Sequence, residues 1–400
     1  MKSIREIYKI GRGPSSSHTM GPDRAARLFA AENTGAQAFR AVLYGSLAKT
    51  GRGHGTDTAI SDAFAPRPCE ILFDPDSGGL PHPNTLDLIA LNDGVETARM
   101  RVLSVGGGDI TILGRPEADP PDVYPHSSFA EIAEHCRSRH MRLSDYVEAF
   151  EGPGIWDFLA DIWRVMRQSA SQGLAASGTL PGGLGVERKA RFLYDQKHID
   201  ESPDTRVNRI VCAYAFAVAE QNAGGGTIVT APTCGSCGVM PAALLYTQEE
   251  RGFSDKQLLR ALAVGGLIGD LIKTNASISG AQCGCQAEIG SACSMAAAAL
   301  GELFELRIGQ IEYAAEVAME HHLGLTCDPI GGLVQIPCIE RNAVAAMRAI
   351  NALSLANFLS STRKISFDLV VDTMYQTGLD MSHRYRETSE GGLAKLYIQK

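Results

Sequence analysis

The chain has 400 residues, 44% of them hydrophobic and 20% charged, the composition of an ordinary globular protein of two or three domains. A formal net charge of −8 leaves no basic stripe to follow phosphates, which argues against a nucleic-acid partner. No apolar run reaches the roughly 18–20 residues of a membrane span, and Met1 to Gly13 is too short, mixed and charged for a secretory signal. No membrane partner is therefore expected, and the setting is read as cytoplasmic, where disulfides are rare.

The first motif in chain order is GRGPSSSHTMGP, which holds Ser15, Ser16, Ser17, His18 and Thr19 between two glycine-proline pairs. Hydroxyls and free N–H groups after such a turn suit an anion such as a carboxylate. A Ser or Thr ahead of DRAARLFA serves equally well as a plain helix N-cap. Beyond it, AFRAVLYGSLA, CEILFD, RVLSVGG and DITILG read as strand-like and helical pieces between Gly- and Pro-rich turns, predicting a sheet with helices on it.

Within that region GHGTD sets His54 and Asp57 in a glycine-rich turn. Flanking glycines predict an exposed imidazole, whose reference pKa of about 6.5 suits proton transfer. Asp57 is placed to orient that ring, and a satisfied surface histidine is the alternative. PHPNT puts His82 and Asn84 in a Pro-bounded turn that turn chemistry alone explains. SVGGG, carrying Gly107 at its centre, lacks both GxGxxG spacing and a Walker lysine, so nucleotide binding is discarded.

From Pro120 to Glu151 the chain reads as a connector, and after Gly154 nearly everything is helix-like. IWDFLADIWRVMRQSA spaces its apolar residues as a helix does, whereas DKQLLRALAVGGLIGDLIK and SMAAAALGELFEL are apolar almost all round, as in a bundle interior. GGTIVT is the exception, a strand signal. The predicted class is α+β: an N-terminal α/β sandwich-type domain with a helical connector over residues 1–150, then an all-helical domain over residues 151–400.

Most of the ten cysteines lie between Cys234 and Cys338. A lone thiol in a reducing compartment is usually a small buried apolar group, the reading kept for Cys69 and Cys136. Clustering points instead to ligands. Cys234 and Cys237 form a C-x-x-C pair that suits a redox dithiol or half a zinc site. Added to the C-x-C of Cys283 and Cys285, it would make a tetrathiolate zinc site. Ferredoxin-type spacing is absent, so spacing does not choose between zinc and iron–sulfur.

The motifs GPSSSHTMGP, YGSLAKTGRGHGTD, HPNT, SVGGG, LPGGL, SISGAQCGCQAEIGSACSMA, CDPIGGLVQIPCIERNA and TMYQTGLDMSHRYRETSEGGLA follow one another nearly end to end. In that order the chain resembles the iron–sulfur-dependent L-serine dehydratases (L-serine ammonia-lyases), with both family domains fused in one chain. The resemblance implies a [4Fe–4S] cluster held by Cys285, Cys327 and Cys338 with one open iron, and Cys293 packed rather than ligating. It implies that the Ser15–Thr19 loop holds substrate, with His82, Asn84 and Gly107 as further substrate-side positions and His54 as the base. The open iron would polarise the serine β-hydroxyl while His54 takes the Cα proton, giving pyruvate and ammonia. A small amino-acid substrate and a homodimer are expected.

Two departures stand out. Many single-chain relatives end in a cysteine-bearing tail, whereas this chain ends GGLAKLYIQK, so no tail-borne plug is expected. Cys234, Cys237 and Cys283 are also unexpected, which leaves elimination from cysteine or threonine as an alternative. A zinc-stabilised amino-acid sensor is the non-enzymatic alternative. Pyridoxal phosphate is not expected: Lys273 is the one lysine near a small polar run, and no phosphate loop accompanies it.

Overall fold

The computed structural model describes residues 1–115, 120–196, 201–359 and 362–398. Alternation of buried and half-buried residues along Ala38–Tyr44 marks a strand with one face on a core. In chain order the strands are β1 (Ile10–Arg12), β2 (Ala38–Tyr44), β3 (Cys69–Asp74), β4 (Thr85–Asn92), β5 (Val95–Gly106), β6 (Asp109–Ile112) and β7 (Thr227–Val229). Five of them form one sheet in the order β3-β2-β4-β5-β6, antiparallel except for the β2–β3 pair. Helices α1 (Gly21–Glu32), α2 (Gly45–Thr50) and α3 (Thr56–Phe64) accompany this sheet. Its core joins Phe29, Phe39, Leu43, Phe64, Leu88 and Val102, with Phe39 and Phe64 stacked at 4.0 Å. Such a pair adds roughly 0.5–1.5 kcal/mol to the burial of its rings. The α+β reading therefore holds.

The expected helical connector is helical and packs on the helical body. Residues 120–151 carry α4 (Phe129–Arg139) and α5 (Leu143–Glu151), and Phe129, Ile132, Tyr146 and Val147 enter the large helical core. The first residues belong there too: Ile4, Ile7 and Tyr8 are buried in the same core, and the Tyr8 hydroxyl donates to the Leu262 carbonyl at 2.8 Å. Each segment has apolar residues that must be covered, and the helical body offers the larger apolar surface. β1 then pairs with β7, the strand signalled by GGTIVT, and ties the entry of the sheet unit to the helices.

The helical body continues with α6 (Ile155–Ala175), α7 (Ala190–Asp195), α8 (Pro203–Ala223), α9 (Val239–Arg251), α10 (Asp255–Asn275) and α11 (Gly280–Cys283). It ends with α12 (Ser291–Leu303), α13 (Ile308–Glu320), α14 (Cys338–Leu359), α15 (Phe367–Asp380) and α16 (Gly392–Ile398). Every residue of α12 is buried, as its all-round apolar sequence requires. Glycine lets α10 approach its neighbours: a Cβ at Gly265 would come within 2.5 Å of Met240 and 3.2 Å of the Met295 carbonyl. Among the described residues, no helix is long and apolar enough to cross a membrane.

Candidate active site

The SSSHT segment folds as one wide helical turn running into α1. Ser15 caps it, its Oγ accepting from the His18 N–H at 3.1 Å. The cap reading is thus realised for Ser15, while Ser16 and Ser17 are buried beside it. The turn is stitched to its surroundings by Thr19 Oγ1 donating to the His54 carbonyl at 2.8 Å and Thr56 Oγ1 donating to the His18 carbonyl at 2.6 Å. Ser104 Oγ of β5 adds a bond to the Ser17 carbonyl at 2.7 Å.

His54 is 1% exposed, against the expectation of an exposed ring. Of its glycine neighbours, Gly55 supplies a φ of +62° and Gly53 a close backbone approach. A Cβ at Gly53 would meet the Gly331 and Gly332 carbonyls at 2.7 and 2.8 Å, so the loop lies flat on the helical body. The His54 Nδ1 lies 3.0 Å from the Thr50 carbonyl. A carbonyl only accepts, so Nδ1 carries the proton and Nε2 keeps the basic lone pair. Burial lowers the His54 pKa to about 4, which keeps the ring neutral at physiological pH.

Asp57 does not orient this ring. Its Oδ1 accepts from the Thr58 N–H at 2.9 Å, within the first turn of α3. The partners the ring does find are His18, with centroids 4.4 Å apart, and Glu387, whose Oε1 lies 3.8 Å from Nε2. Glu387 also faces His18 Nδ1 at 3.5 Å. Burial and then Glu288 push the Glu387 carboxyl well above the usual range, and burial followed by His54 pushes His18 well below its own.

His82 and Asn84 line the adjoining wall. The Asn84 N–H donates to His82 Nδ1 at 3.0 Å, and His82 Nε2 approaches the Gln282 amide at 3.3 Å across the two units. Asn84 Oδ1 and Ser279 Oγ are buried with no hydrogen-bond partner among the described residues. Ser279 faces the glycine triplet: a Cβ at Gly106 would sit 3.3 Å from its own, while one at Gly107 would press Ile278 at 3.1 Å. The triplet has φ of +108°, +60° and +84°, so these positions are glycine for conformational reasons as well.

Opposite the histidines the helical body presents its thiols. Cys285 and Cys327 lie close enough to perturb each other, and Cys338, at the start of α14, interacts electrostatically with Cys285. The neighbouring Cys327, assisted by the Arg341 charge, lowers the Cys285 pKa, while Cys327 and Cys338 are raised. Arg341 sits one turn after Cys338 and is anchored by donation to the Thr326 carbonyl at 2.5 Å. A Cβ at Gly280 would come 2.7 Å from Glu288 Oε2 and 3.3 Å from Cys327 Sγ, so backbone closes this chamber from the α11 side.

The remaining cysteines divide. Cys293 is fully buried with Sγ on the Ala345 carbonyl, and Cys136 is buried in the core, both as expected. Cys234 and Cys237 are buried as well, Cys234 against Met20 Sδ at 3.4 Å and near Glu288. Lys273 is committed to an ion pair with Asp109 at 2.6 Å.

A cavity of about 630 Å³ reaches this region from outside, bounded by Arg12, Arg24, Arg52 and Leu333 and touching Thr19 and His54. It lies where the sheet unit meets the helical loops.

Family models match parts of both units. Residues 3–65 match the model of the serine dehydratase beta chain and residues 128–394 that of the serine dehydratase alpha chain. The chain belongs to the serine dehydratase family. It is 41% identical to L-serine dehydratase 2 of Escherichia coli K12, covering 98% of each chain. It is 39% identical to the L-serine dehydratases of Haemophilus influenzae and Streptomyces coelicolor, over 98% and 99% of this chain. The alignment to the first spans 450 positions, more than this chain's 400 residues, so this serine dehydratase homologue lacks segments that its relative carries.

Sequence reasoning missed Glu387 and Arg341. Both lay inside quoted motifs, Glu387 in TMYQTGLDMSHRYRETSEGGLA and Arg341 in CDPIGGLVQIPCIERNA, but neither could be placed without the fold that brings residues 327, 341 and 387 to the histidines.

Proposed function

We propose that the chain is an L-serine ammonia-lyase that removes water from L-serine to give pyruvate and ammonia. The observation that supports this reading is a neutral, buried His54 whose acidic neighbour Glu387 is within electrostatic reach of Cys285, Cys327 and Cys338 across the junction of the two units. Cys285, Cys327 and Cys338 would hold a [4Fe–4S] cluster. Their donor chemistry suits it, since thiolates are the ordinary ligands of such clusters and Arg341 offsets their charge. Among the described residues no three His, Cys, Asp or Glu side chains are close enough to share one ion. A cubane needs no such convergence, because each thiolate binds a different iron. When bound, the cluster supplies Lewis-acid polarisation of the leaving hydroxyl.

The chain's own residues do the rest. The cavity admits the substrate past Arg12 and Arg52, whose charges suit its carboxylate. Ser16 and Ser17 lie where the turn offers hydroxyls to that carboxylate, while Asn84 Oδ1 is a free acceptor for the ammonium. His54 Nε2 takes the Cα proton. The electron pair of the broken C–H bond becomes the Cα–Cβ double bond as the Cβ–O bond breaks. Aminoacrylate then tautomerises to an imine and hydrolyses to pyruvate and ammonia. The sheet unit thus supplies the base and substrate contacts and the helical unit supplies the cysteines. A homodimer in the cytoplasm completes the proposal.

Anaerobic purification with iron and sulfide analysis, followed by pyruvate assay on serine, threonine and cysteine, tests the reading. Stoichiometric iron and sulfide with preference for serine support it. Iron-free protein that turns serine over at full rate overturns the cluster.

A further inference from the structure

Where β4 and β5 meet the loop ahead of α11, a buried polar patch joins the two units. The Asn84 N–H donates to His82 Nδ1 at 3.0 Å, and His82 Nε2 approaches the Gln282 amide at 3.3 Å. Gln282 Oε1 accepts from Ser277 Oγ at 2.5 Å, and Ser277 Oγ accepts from the Ser279 N–H at 3.0 Å. Two atoms stand outside this network. Asn84 Oδ1 and Ser279 Oγ, on residues 0% and 3% exposed, have no hydrogen-bond partner among the described residues. Burying such an atom is costly, so an unpartnered one points to a ligand or an ordered water.

Their neighbours fix what these atoms can bind. Asn84 Nδ2 faces the Ser104 carbonyl at 3.4 Å. A carbonyl only accepts, so the amide nitrogen belongs on that side and Oδ1 is left as an acceptor. Ser279 Oγ, a hydroxyl, accepts as well. Their place in the site is also fixed. Ser104 Oγ donates to the Ser17 carbonyl at 2.7 Å, which ties Asn84 to the turn proposed to hold the carboxylate. On the other side, a Cβ at Gly280, next to Ser279, would lie 3.3 Å from Cys327 Sγ. Between them runs the glycine triplet: a Cβ at Gly106 would lie 3.3 Å from that of Ser279, and Gly108 lines the cavity.

Resting on the lyase reading, we infer that Ser279 is a substrate-binding residue whose hydroxyl, together with Asn84 Oδ1, receives the α-ammonium of the amino acid. The carboxylate has the serine turn and the arginines. The ammonium is the other charged group of the substrate, and it brings three N–H donors to two neutral acceptors. The helical unit thus contributes a substrate contact as well as the cysteines. The pair selects for the amino group, because an analogue lacking it leaves both buried acceptors unpaired. Bound serine and the transition state make the contact alike, so it acts on affinity rather than on kcat.

The test uses the anaerobically purified holoenzyme, its Ser279→Ala and Asn84→Ala variants, and two probes. L-Serine carries all three functional groups, whereas 3-hydroxypropionate keeps the carboxylate and β-hydroxyl and lacks the amino group. Alanine at 279 keeps the main-chain bond to Ser277. The inference predicts that Ser279→Ala raises KM for serine about tenfold or more, the loss expected for a hydrogen bond to a charged group, with kcat changed less than about threefold. The inhibition constant of 3-hydroxypropionate should change less than about twofold, with iron content unchanged. A parallel rise in KM and in that inhibition constant assigns Ser279 to the shape of the pocket and overturns the inference. An unchanged KM shows that the hydroxyl meets only water and also overturns it. Should Ser279→Ala lose iron or fold poorly, Asn84→Ala decides: the same selective loss for serine supports the inference, and a parallel or absent loss overturns it. A wild-type enzyme that makes no pyruvate from serine overturns the lyase reading, and the inference with it, whatever the variants do.

Discussion

Replacing His54 by alanine separates chemistry from architecture. The substitution removes one hydrogen bond, from Nδ1 to the Thr50 carbonyl, worth about 1 kcal/mol. The Thr50 carbonyl is not orphaned, because it also accepts the His54 backbone N–H at 3.2 Å, and Thr19 Oγ1 still holds the His54 carbonyl. With the small cavity added, the cost is about 1–3 kcal/mol, less than the roughly 5–15 kcal/mol that keeps a domain folded. Loss of a general base costs about 10²–10⁴-fold in rate, or about 3–5 kcal/mol of transition-state stabilisation. The expected outcome is a folded protein with unchanged iron, little change in KM and kcat lower by that factor. Exchange of the serine Cα proton with deuterated solvent, followed alongside pyruvate release, is the assay. Exchange and elimination at the normal rate would place the base elsewhere, with His18 and His82 the nearest imidazoles.

Asp270 is buried on α10 with Oδ2 unpartnered, and burial raises its pKa to about 7. The unfolded chain therefore releases this proton near pH 4 and the folded chain near pH 7, so stability falls as pH rises through that window. Asp270→Asn should remove the slope and gain about 2 kcal/mol more at pH 8 than at pH 5.5, measured by urea unfolding at both. An identical gain at the two pH values would show that Asp270 is ionised throughout. Gly280→Val, whose Cβ would lie 2.7 Å from Glu288 Oε2 and 3.3 Å from Cys327 Sγ, should leave circular dichroism intact and lower iron content; full iron would mean the chamber yields. Oxygen should inactivate the enzyme, with recovery on adding iron and reductant, because a cluster with an open iron is accessible to oxidants. Unchanged activity after prolonged aerobic incubation would count against that site.

The elements with a strong period were legible. Strands β2, β3, β5 and β6 and helices α6, α10 and α12 stand on the segments read for them, whereas the central strand β4 was not read. The connector was read as helical, and it is, but its packing on the helical body was not legible because helices 129–139 and 143–151 are short and half polar and partners of theirs lie more than a hundred residues away in α10 to α15. His54 is buried, so its expected exposure was misjudged. Gly53 accommodates the 331–332 backbone, and Gly55 supplies a left-handed turn, rather than either exposing the ring. Asp57 was chosen for its nearness in sequence, whereas the acidic neighbour of His54 is 333 positions on, a pairing that local spacing does not contain.

The central claim is that Cys285, Cys327 and Cys338 hold a cluster facing His54. Iron and acid-labile sulfide per chain, measured anaerobically in the wild type and in Cys285→Ser, Cys327→Ser and Cys338→Ser, with Cys136→Ser and Cys69→Ser as controls, tests it most directly. The account predicts about four irons and four sulfides in the wild type and both controls, and loss of both elements and of pyruvate formation in each of the three variants. Full iron and normal turnover in Cys327→Ser would contradict it.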